Sequence, residues 1–495
     1  MSVDLMLVDV WGGPNYYPSL SIGYLAASVR KAGFSCRIIT PNQISNFSAE
    51  KFGEIMQKER PAFVGFAGYT MEIFSTYKLM KKAKETNPVC KVILGGAHAN
   101  ALKEEVFSEC DAIDIAFVFA EGEEGIVEYL KSGGNGGGIK GTMYRANDGS
   151  IVKNPGREFS KDIDSLAHPS RDAYHHDEYH DIDVGGDSNY LAKPIHILVS
   201  SRGCPFNCNF CVKSFGVMSR RHSIQYVLDE IREIRDKHGG KELYFIDDLF
   251  SASKKWVLDF CEAMQREKLV MPWKCLVRVD TVDEETLRAM KKAGCHTASF
   301  GIETGNMDVM KWMHKGITLD QARKTIALAR QVGINREAYF IVGHQIDTEE
   351  TINQTIEFAR ELNADFPRFF IFSPYPGSEV YENLPEELKC KYWLEETAEQ
   401  LRSVGNTSIC KVPEDRLNDL WHRAHDRAYS QVRYFTENVV PTFLENPLGR
   451  GWIRKLTNFI GYGVLRVHRI VQRKQGQSLP DAVLHEWPKA FFWKA

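Results

Sequence analysis

The stretch Ile195-His196-Ile197-Leu198-Val199-Ser200-Ser201-Arg202-Gly203-Cys204-Pro205-Phe206-Asn207-Cys208-Asn209-Phe210-Cys211 decides how this chain is read. It begins as an apolar run of strand length, and Gly203 and Pro205 turn it into a loop. On that loop the cysteines have the spacing C-x3-C-x2-C, so three thiolates can converge on one metal centre. Iron–sulfur clusters are held by such thiolates. Structural zinc sites usually draw four ligands from paired C-x2-C knuckles, and no second pair is apparent here. A four-iron cluster with three protein ligands leaves one iron open to a cofactor or substrate. A zinc knuckle completed by a distant residue and three incidental core cysteines are the other readings.

Towards the C-terminus, strand-like and helix-like segments alternate from Ile195 to about Ser378. The repeat is roughly 30 residues, the size of a βα unit with its crossover. The strands expected are Ile195–Ser200, Glu242–Ile246, Trp273–Val277, Thr297–Gly301, Glu337–Val342 and Arg368–Phe372, with helices such as Ser223–His238 and Asp283–Ala293 between them. Six βα units suit a partial (βα)6 barrel of the TIM type.

Towards the N-terminus a similar alternation runs over the first 135 residues. Leu5–Val10, Cys36–Ile39, Phe63–Phe66, Val92–Leu94 and Ala116–Phe119 read as strands, and Ser21–Ala32 and Thr70–Glu85 as helices. This predicts an α/β class: a Rossmann-like, doubly wound parallel sheet whose glycine-bearing turns fall at the C-terminal strand ends, where such sheets bind ligands. Residues 136–190 read as a linker, glycine-rich at first, with a small hairpin around Asn147-Asp148-Gly149 and then a polar His/Asp-rich segment. The expected organisation is therefore 1–135, linker 136–190, barrel 191–382 and a helical C-terminal region 383–495.

At 495 residues the chain holds several domains, and its 43% hydrophobic and 26% charged content is that of a soluble globular protein. A formal net charge of −3 gives no global basic field, so no nucleic-acid partner is expected. Eleven scattered cysteines do not form a disulfide framework. The N-terminus lacks the pattern of a secretory leader, and a reducing, cytoplasmic location is expected.

With the motif, its loop and the barrel in place, the sequence resembles the radical S-adenosylmethionine superfamily. The resemblance implies a 4Fe-4S cluster on Cys204, Cys208 and Cys211 whose open iron binds the amino and carboxylate groups of S-adenosylmethionine. An electron from the cluster then cleaves the sulfonium to give a 5′-deoxyadenosyl radical. The same likeness marks Phe210 before the last cysteine and Asp247 and Asp248 after the second barrel strand. It continues through Arg278 after the third strand, Glu303 in Phe300-Gly301-Ile302-Glu303-Thr304-Gly305 on the fourth, and Ile341 and Gly343 on the fifth. These are implied contacts of S-adenosylmethionine, and all fall at C-terminal strand ends, the active face of a parallel barrel. Any one such carboxylate or arginine can equally be half of a surface ion pair.

The N-terminal pattern resembles the cobalamin-binding domain that precedes the barrel in one large subclass. Trp11, Gly12, Gly68, Tyr69, Thr70, Gly95, Gly96, His98, Glu121 and Gly122 are the implied cobalamin contacts. The Asp-x-His-x-x-Gly of many cobalamin proteins is replaced by Asp9-Val10-Trp11-Gly12-Gly13-Pro14, which has no histidine. His98 is the nearby imidazole, either a cobalt ligand or a structural hydrogen-bonder. The resemblance implies a cobalamin-dependent enzyme, a C-methyltransferase in the commonest case, using an external electron donor such as flavodoxin or ferredoxin. Cyclisation, rearrangement or oxidation by the same architecture is the alternative, and a non-catalytic iron–sulfur or zinc protein is the second. Trp452–Lys474 has apolar residues at helical spacing interleaved with Arg and Lys. Such a basic amphipathic helix either packs on the barrel or makes a peripheral membrane contact; the latter would suit a lipid-like rather than another small-molecule substrate.

Overall fold

The computed structural model describes residues 3–10, 19–40, 47–118, 121–174, 190–389, 392–394, 409–430, 432–441, 455–456 and 459–460. The chain divides into two compact units. The first comprises Met1–Asp187, Lys193–Leu249 and Pro374–Arg402, and the second Ser188–Ala192, Phe250–Ser373 and Ser403–Ala495.

In the first unit, strands β1 (Leu5–Val8), β2 (Cys36–Ile39), β3 (Phe63–Ala67), β4 (Lys91–Gly95) and β5 (Ile115–Phe117) are all parallel, in the order β2-β1-β3-β4-β5. Their crossovers are helices α1 (Leu20–Lys31), α2 (Ala49–Glu59), α3 (Ile73–Thr86) and α4 (Ala97–Leu102), and α5 (Gly122–Lys131) follows β5. Parallel strands covered on both faces read as continuous apolar runs, and β1 and β3 are buried at every position. Leu5, Leu7, Ile93 and Ile115 from the strands pack with Ile22, Ala26, Val29 and Ile126 from α1 and α5. The strand order reverses between β1 and β3, so this is the topological switch point at which such sheets take ligands. The hairpin read between 136 and 190 forms β6 (Thr142–Arg145) and β7 (Ile151–Lys153), which extend the same sheet antiparallel beyond β5.

A second sheet holds β8 (Ile195–Leu198), β11 (Glu242–Phe245), β12 (Trp273–Val277), β13 (Cys295–Glu303), β14 (Asn335–Val342) and β15 (Phe366–Ile371), in the order β15-β14-β13-β12-β11-β8. A two-stranded ribbon, β9 (Ser201–Arg202) with β10 (Arg220–Arg221), follows β8. Helices α6 (Ile224–Lys237), α7 (Lys254–Arg266), α8 (Glu284–Lys292), α9 (Leu319–Val332) and α10 (Glu349–Leu362) alternate with the strands as expected. Their starts are set by side-chain caps: Ser223, Ser253 and Asp283 accept from backbone N–H groups of the first turn, and Thr318 forms a capping box with Gln321. After β15, α11 (Glu414–Tyr429) lies on that strand, where Trp421 Nε1 donates to the Phe369 carbonyl at 2.7 Å. No helix among the described residues is long and apolar enough to cross a membrane. Most of the amphipathic stretch Trp452–Lys474 lies outside the described residues.

In the second unit, Asp365 is buried and accepts from Arg336 Nε at 2.7 Å and Lys455 Nζ at 2.5 Å. Burial opposes its ionisation, but the two cations prevail and hold its pKa well below the ordinary carboxylate value. Asp365→Asn would strand two buried cations and is expected to cost about 3–5 kcal/mol in chemical denaturation. In the wild-type protein the contribution is complete above the unfolded pKa of about 3.9 and is lost as pH falls below it.

Candidate functional site

The three cysteines of the motif lie on the loop between β9 and β10. Cys208 is buried, Cys204 half-buried and Cys211 exposed, and none is in a disulfide. Arg202 faces Arg220 and Ser201 faces Arg221 across the ribbon, so the loop leaves and returns at one point. Gly203 opens it with φ +85°, and a Cβ there would lie 2.3 Å from the Met218 carbonyl, so only glycine fits. Beyond the loop's middle, Val380 N donates to the Asn209 carbonyl at 3.0 Å. Phe210 is half-buried.

Below the loop, Asp247 and Asp248 follow β11. Asp247 accepts from the Ser200 amide and hydroxyl at 3.1 and 2.7 Å and from the Ser201 hydroxyl at 2.5 Å. Asp248 accepts from Gly203 N at 3.0 Å. Burial raises both carboxyl pKa values, while these hydrogen bonds favour the charged forms. The two acids therefore hold the β9 end of the loop from beneath.

At the N-terminal sheet, Gly68 N donates to the Gly95 carbonyl at 2.7 Å and His98 N to the Gly68 carbonyl at 3.2 Å. Gly96 has φ +98°, and its Cβ would lie 2.6 Å from the Gly68 carbonyl. A Cβ on Gly95 would meet nothing within 4 Å. The ends of β3 and β4 are thus close-packed backbone beside open space. Tyr69 is half-buried, its hydroxyl pKa raised by burial and by the Asp9 carboxylate. His98 is fully buried; Nδ1 lies 3.1 Å from the Thr70 hydroxyl and Nε2 3.3 Å from Glu109 Oε2. Glu109 also accepts from the Tyr77 hydroxyl at 2.8 Å and from Trp393 Nε1 at 3.2 Å. Both ring nitrogens of His98 are thereby engaged. Glu121, ahead of Gly122 at the start of α5, lies between Arg202 and Arg220. Trp11 and Gly12 fall outside the described residues.

In the second unit, Arg278 pairs with Asp280 through Nε and Nη2 at 2.9 and 3.0 Å and donates to the Lys315 carbonyl at 2.6 Å. Lys315 Nζ in turn donates to Glu303 Oε1 at 2.6 Å. Glu303 has φ +71°, a conformation that costs a non-glycine residue about 1–3 kcal/mol and clusters at functional sites. A Cβ on Gly301 would lie 2.4 Å from Glu303 Oε1 and 2.8 Å from Lys315 Nζ. Ile341 is half-buried; Gly343 has φ +89°, and its amide donates to Asp347 at 2.9 Å. Arg278 and Glu303, both expected from the sequence, are joined through Lys315, which was not. Lys315 follows the fourth-strand motif by a helical turn and a bend, and no sequence signal ties it to Glu303.

These residues suit the groups that the resemblance implies. The donor set on the loop is three thiols, the ligands of an iron–sulfur cluster. No group of three or more His, Cys, Asp or Glu side chains among the described residues is drawn close enough to hold a single ion. Ligands on separate irons of a cluster stand farther apart than ligands of one ion. Glu303, held at positive φ, presents a carboxylate that can accept from a ribose hydroxyl or an amino group. At Gly95, where a Cβ would meet nothing within 4 Å, the backbone leaves room for a broad flat ring.

Comparison with known proteins agrees with the geometry. Residues 198–359 match the radical SAM superfamily and residues 13–130 the B12 binding domain. An uncharacterized methyltransferase of Pyrococcus horikoshii is 34% identical over 370 residues, 74% of this chain and 78% of that protein. The anaerobic magnesium-protoporphyrin IX monomethyl ester cyclase of Rubrivivax gelatinosus is 27% identical, covering 75% of this chain and 67% of its own. The radical S-adenosylmethionine methyltransferase TsrM of Kitasatospora setae, solved with cobalamin and a [4Fe-4S] cluster, superposes with a TM-score of 0.64 at 16% identity over 78% of each chain.

Next to the loop, His222 donates its amide to the Ser200 carbonyl at 3.0 Å and its ring meets Asp164 at 2.9 Å. Burial lowers its pKa from 6.5 to about 4 despite Asp164. The unfolded chain therefore binds a proton that the folded chain refuses between those values, and stability falls as pH drops through that window. Hydrogen exchange across residues 200–222 is expected to lose protection from pH 7 to pH 5 in the wild-type protein. His222→Gln is expected to flatten that dependence.

Proposed function

As a member of the cobalamin-dependent radical S-adenosylmethionine enzymes, this chain works with a 4Fe-4S cluster, S-adenosylmethionine and cobalamin, and we propose that it is a C-methyltransferase acting on an unactivated carbon of a small-molecule substrate. The observation that supports this most is the match to a methyltransferase over 78% of that protein's length. When bound, the cluster and S-adenosylmethionine supply one-electron chemistry at a C–H bond, and cobalamin supplies a transferable methyl group.

The chain's own residues bind and orient in this reading. Cys204, Cys208 and Cys211 would hold the cluster as thiolates. Asp247 and Asp248 fix the start of their loop through Ser200, Ser201 and Gly203. Glu303 accepts from the ribose or the amino-acid end of S-adenosylmethionine, with Lys315 on its Oε1 and Arg278 holding the Lys315 backbone. Phe210, Ile341 and Gly343 line the same cofactor. Gly68, Tyr69, Thr70, Gly95, Gly96 and Gly122 border cobalamin with Trp11 and Gly12, and His98 supports Thr70 through its ring. The cobalamin domain spans 1–135, the linker 136–190, the barrel 191–382 and the helical region 383–495. Flavodoxin or ferredoxin supplies the electron.

A second reading keeps the cofactors but ends in radical cyclisation, and the cyclase among the relatives favours it. Anaerobic reconstitution with iron, sulfide and hydroxocobalamin, followed by S-adenosylmethionine and reductant, separates the two. Methylation predicts S-adenosylhomocysteine together with 5′-deoxyadenosine, the latter falling to background in Cys208→Ala. 5′-Deoxyadenosine without S-adenosylhomocysteine would favour cyclisation.

A further inference from the structure

Arg202 stands two residues before Cys204 and is almost wholly buried. Its Nη1 donates to Glu121 Oε1 at 2.8 Å and its Nη2 to Glu123 Oε1 at 2.7 Å. Arg220, its register partner across the ribbon, donates from Nη1 to the other oxygen of Glu121 at 2.8 Å and to the Ser160 carbonyl at 2.9 Å. Ser160 N closes the ring on Glu121 Oε2 at 3.2 Å. The Arg202 guanidinium also lies 4.9 Å from the ring centre of Tyr24 and 5.5 Å from that of Phe215, and the Arg220 guanidinium 4.8 Å from Phe159.

Two arginines directly opposite one another on a ribbon repel. Here Arg202 is buried and Arg220 half-buried, and Glu121 and Glu123 offset the repulsion. Burial works against the Arg202 charge, and Glu123 and Glu121 more than offset it, raising its pKa above the ordinary arginine value. Glu121 and Glu123 lie at the start of α5, just past the end of β5. The base of the cysteine loop is therefore tied to the ligand-binding edge of the N-terminal sheet by two arginines and two carboxylates.

We infer that Glu121 and Glu123 are positioning residues for the iron–sulfur cluster, acting through Arg202 and Arg220, and that Glu121 does not contact cobalamin. The inference rests on the reading of Cys204, Cys208 and Cys211 as cluster ligands. It assigns the Glu121-Gly122-Glu123 turn a task that its place at a sheet's cofactor edge does not suggest. Removing one carboxylate leaves a buried guanidinium short of its counter-charge, and the strain falls on the ribbon next to Cys204.

Glu121→Gln, Arg220→Gln and the double variant test it in the full chain. In unloaded protein, hydrogen exchange across residues 203–219 is expected to speed up in each single variant. It should return towards wild type in the double variant, where two neutral amides can pair. In reconstituted protein, the electron paramagnetic resonance of the reduced cluster, and its change on adding S-adenosylmethionine, should shift in the same pattern. Uptake of hydroxocobalamin, followed by absorbance, should stay at the wild-type level in all three. Arg202→Lys, which keeps the charge but not the fork, should give a partial shift. Unchanged exchange and spectra in Glu121→Gln would overturn the inference, as would lost hydroxocobalamin uptake with an unaltered cluster signal. Single-variant defects that the double variant does not relieve would overturn it as well. A wild-type chain that takes up no iron would refute the cluster assignment, while the exchange arm still judges the brace.

Discussion

The structure depends on one mechanical constraint: the loop carrying Cys204, Cys208 and Cys211 leaves Cys211 exposed and is fixed at its base by polar contacts. An open loop has little apolar area of its own to bury, so polar contacts at its root hold it. The roots are tied in three ways. The ribbon β9–β10 brings the two ends together. Asp247 and Asp248 accept from Ser200, Ser201 and Gly203 beneath one end. Arg202 and Arg220 anchor both ends to Glu121 and Glu123. Each buried charge in this arrangement has a partner, the condition under which burial of charge is tolerated.

The second unit follows the same rule on a different scaffold. Its strands bring Arg278, Glu303 and Asp365 into buried positions, and each is met by an opposite charge or a carbonyl. The two groups differ in purpose. Asp365 with Arg336 and Lys455 involves no strained backbone and serves stability. Glu303 is held at positive φ beside a glycine whose Cβ would strike it. Backbone strain of this kind clusters at functional sites.

Much of this was legible in the sequence. The apolar runs and their glycine turns located every strand of both parallel sheets to within a few residues, because strands buried on both faces leave unbroken hydrophobic signals. Leu5–Val10 and Arg368–Phe372 shifted at their ends to Leu5–Val8 and Phe366–Ile371, as element boundaries do. The cysteine spacing marked the loop that the fold sets between β9 and β10. What was not legible is pairing over long separations. Nothing near Arg202 in sequence announces Glu121, since that contact joins separate βα units, and Lys315 meets Glu303 only through the path of the connection that follows β13. Conversely, the Glu121-Gly122-Glu123 turn carried a signal for a ligand, while in the fold its carboxylates face arginines. His98 reads in the sequence as a cobalt ligand or a structural hydrogen-bonder, and in the fold its ring nitrogens face Thr70 and Glu109.

In the proposed site three thiolates hold a four-iron cluster with one iron left open for S-adenosylmethionine. Mössbauer spectroscopy of the chain loaded with iron-57, before and after S-adenosylmethionine, tests it most directly. The account predicts four irons per chain, with one quarter of the signal moving to a distinct site when S-adenosylmethionine is added. Four irons whose signals all stay unchanged, or a chain that retains zinc in place of iron, would contradict it.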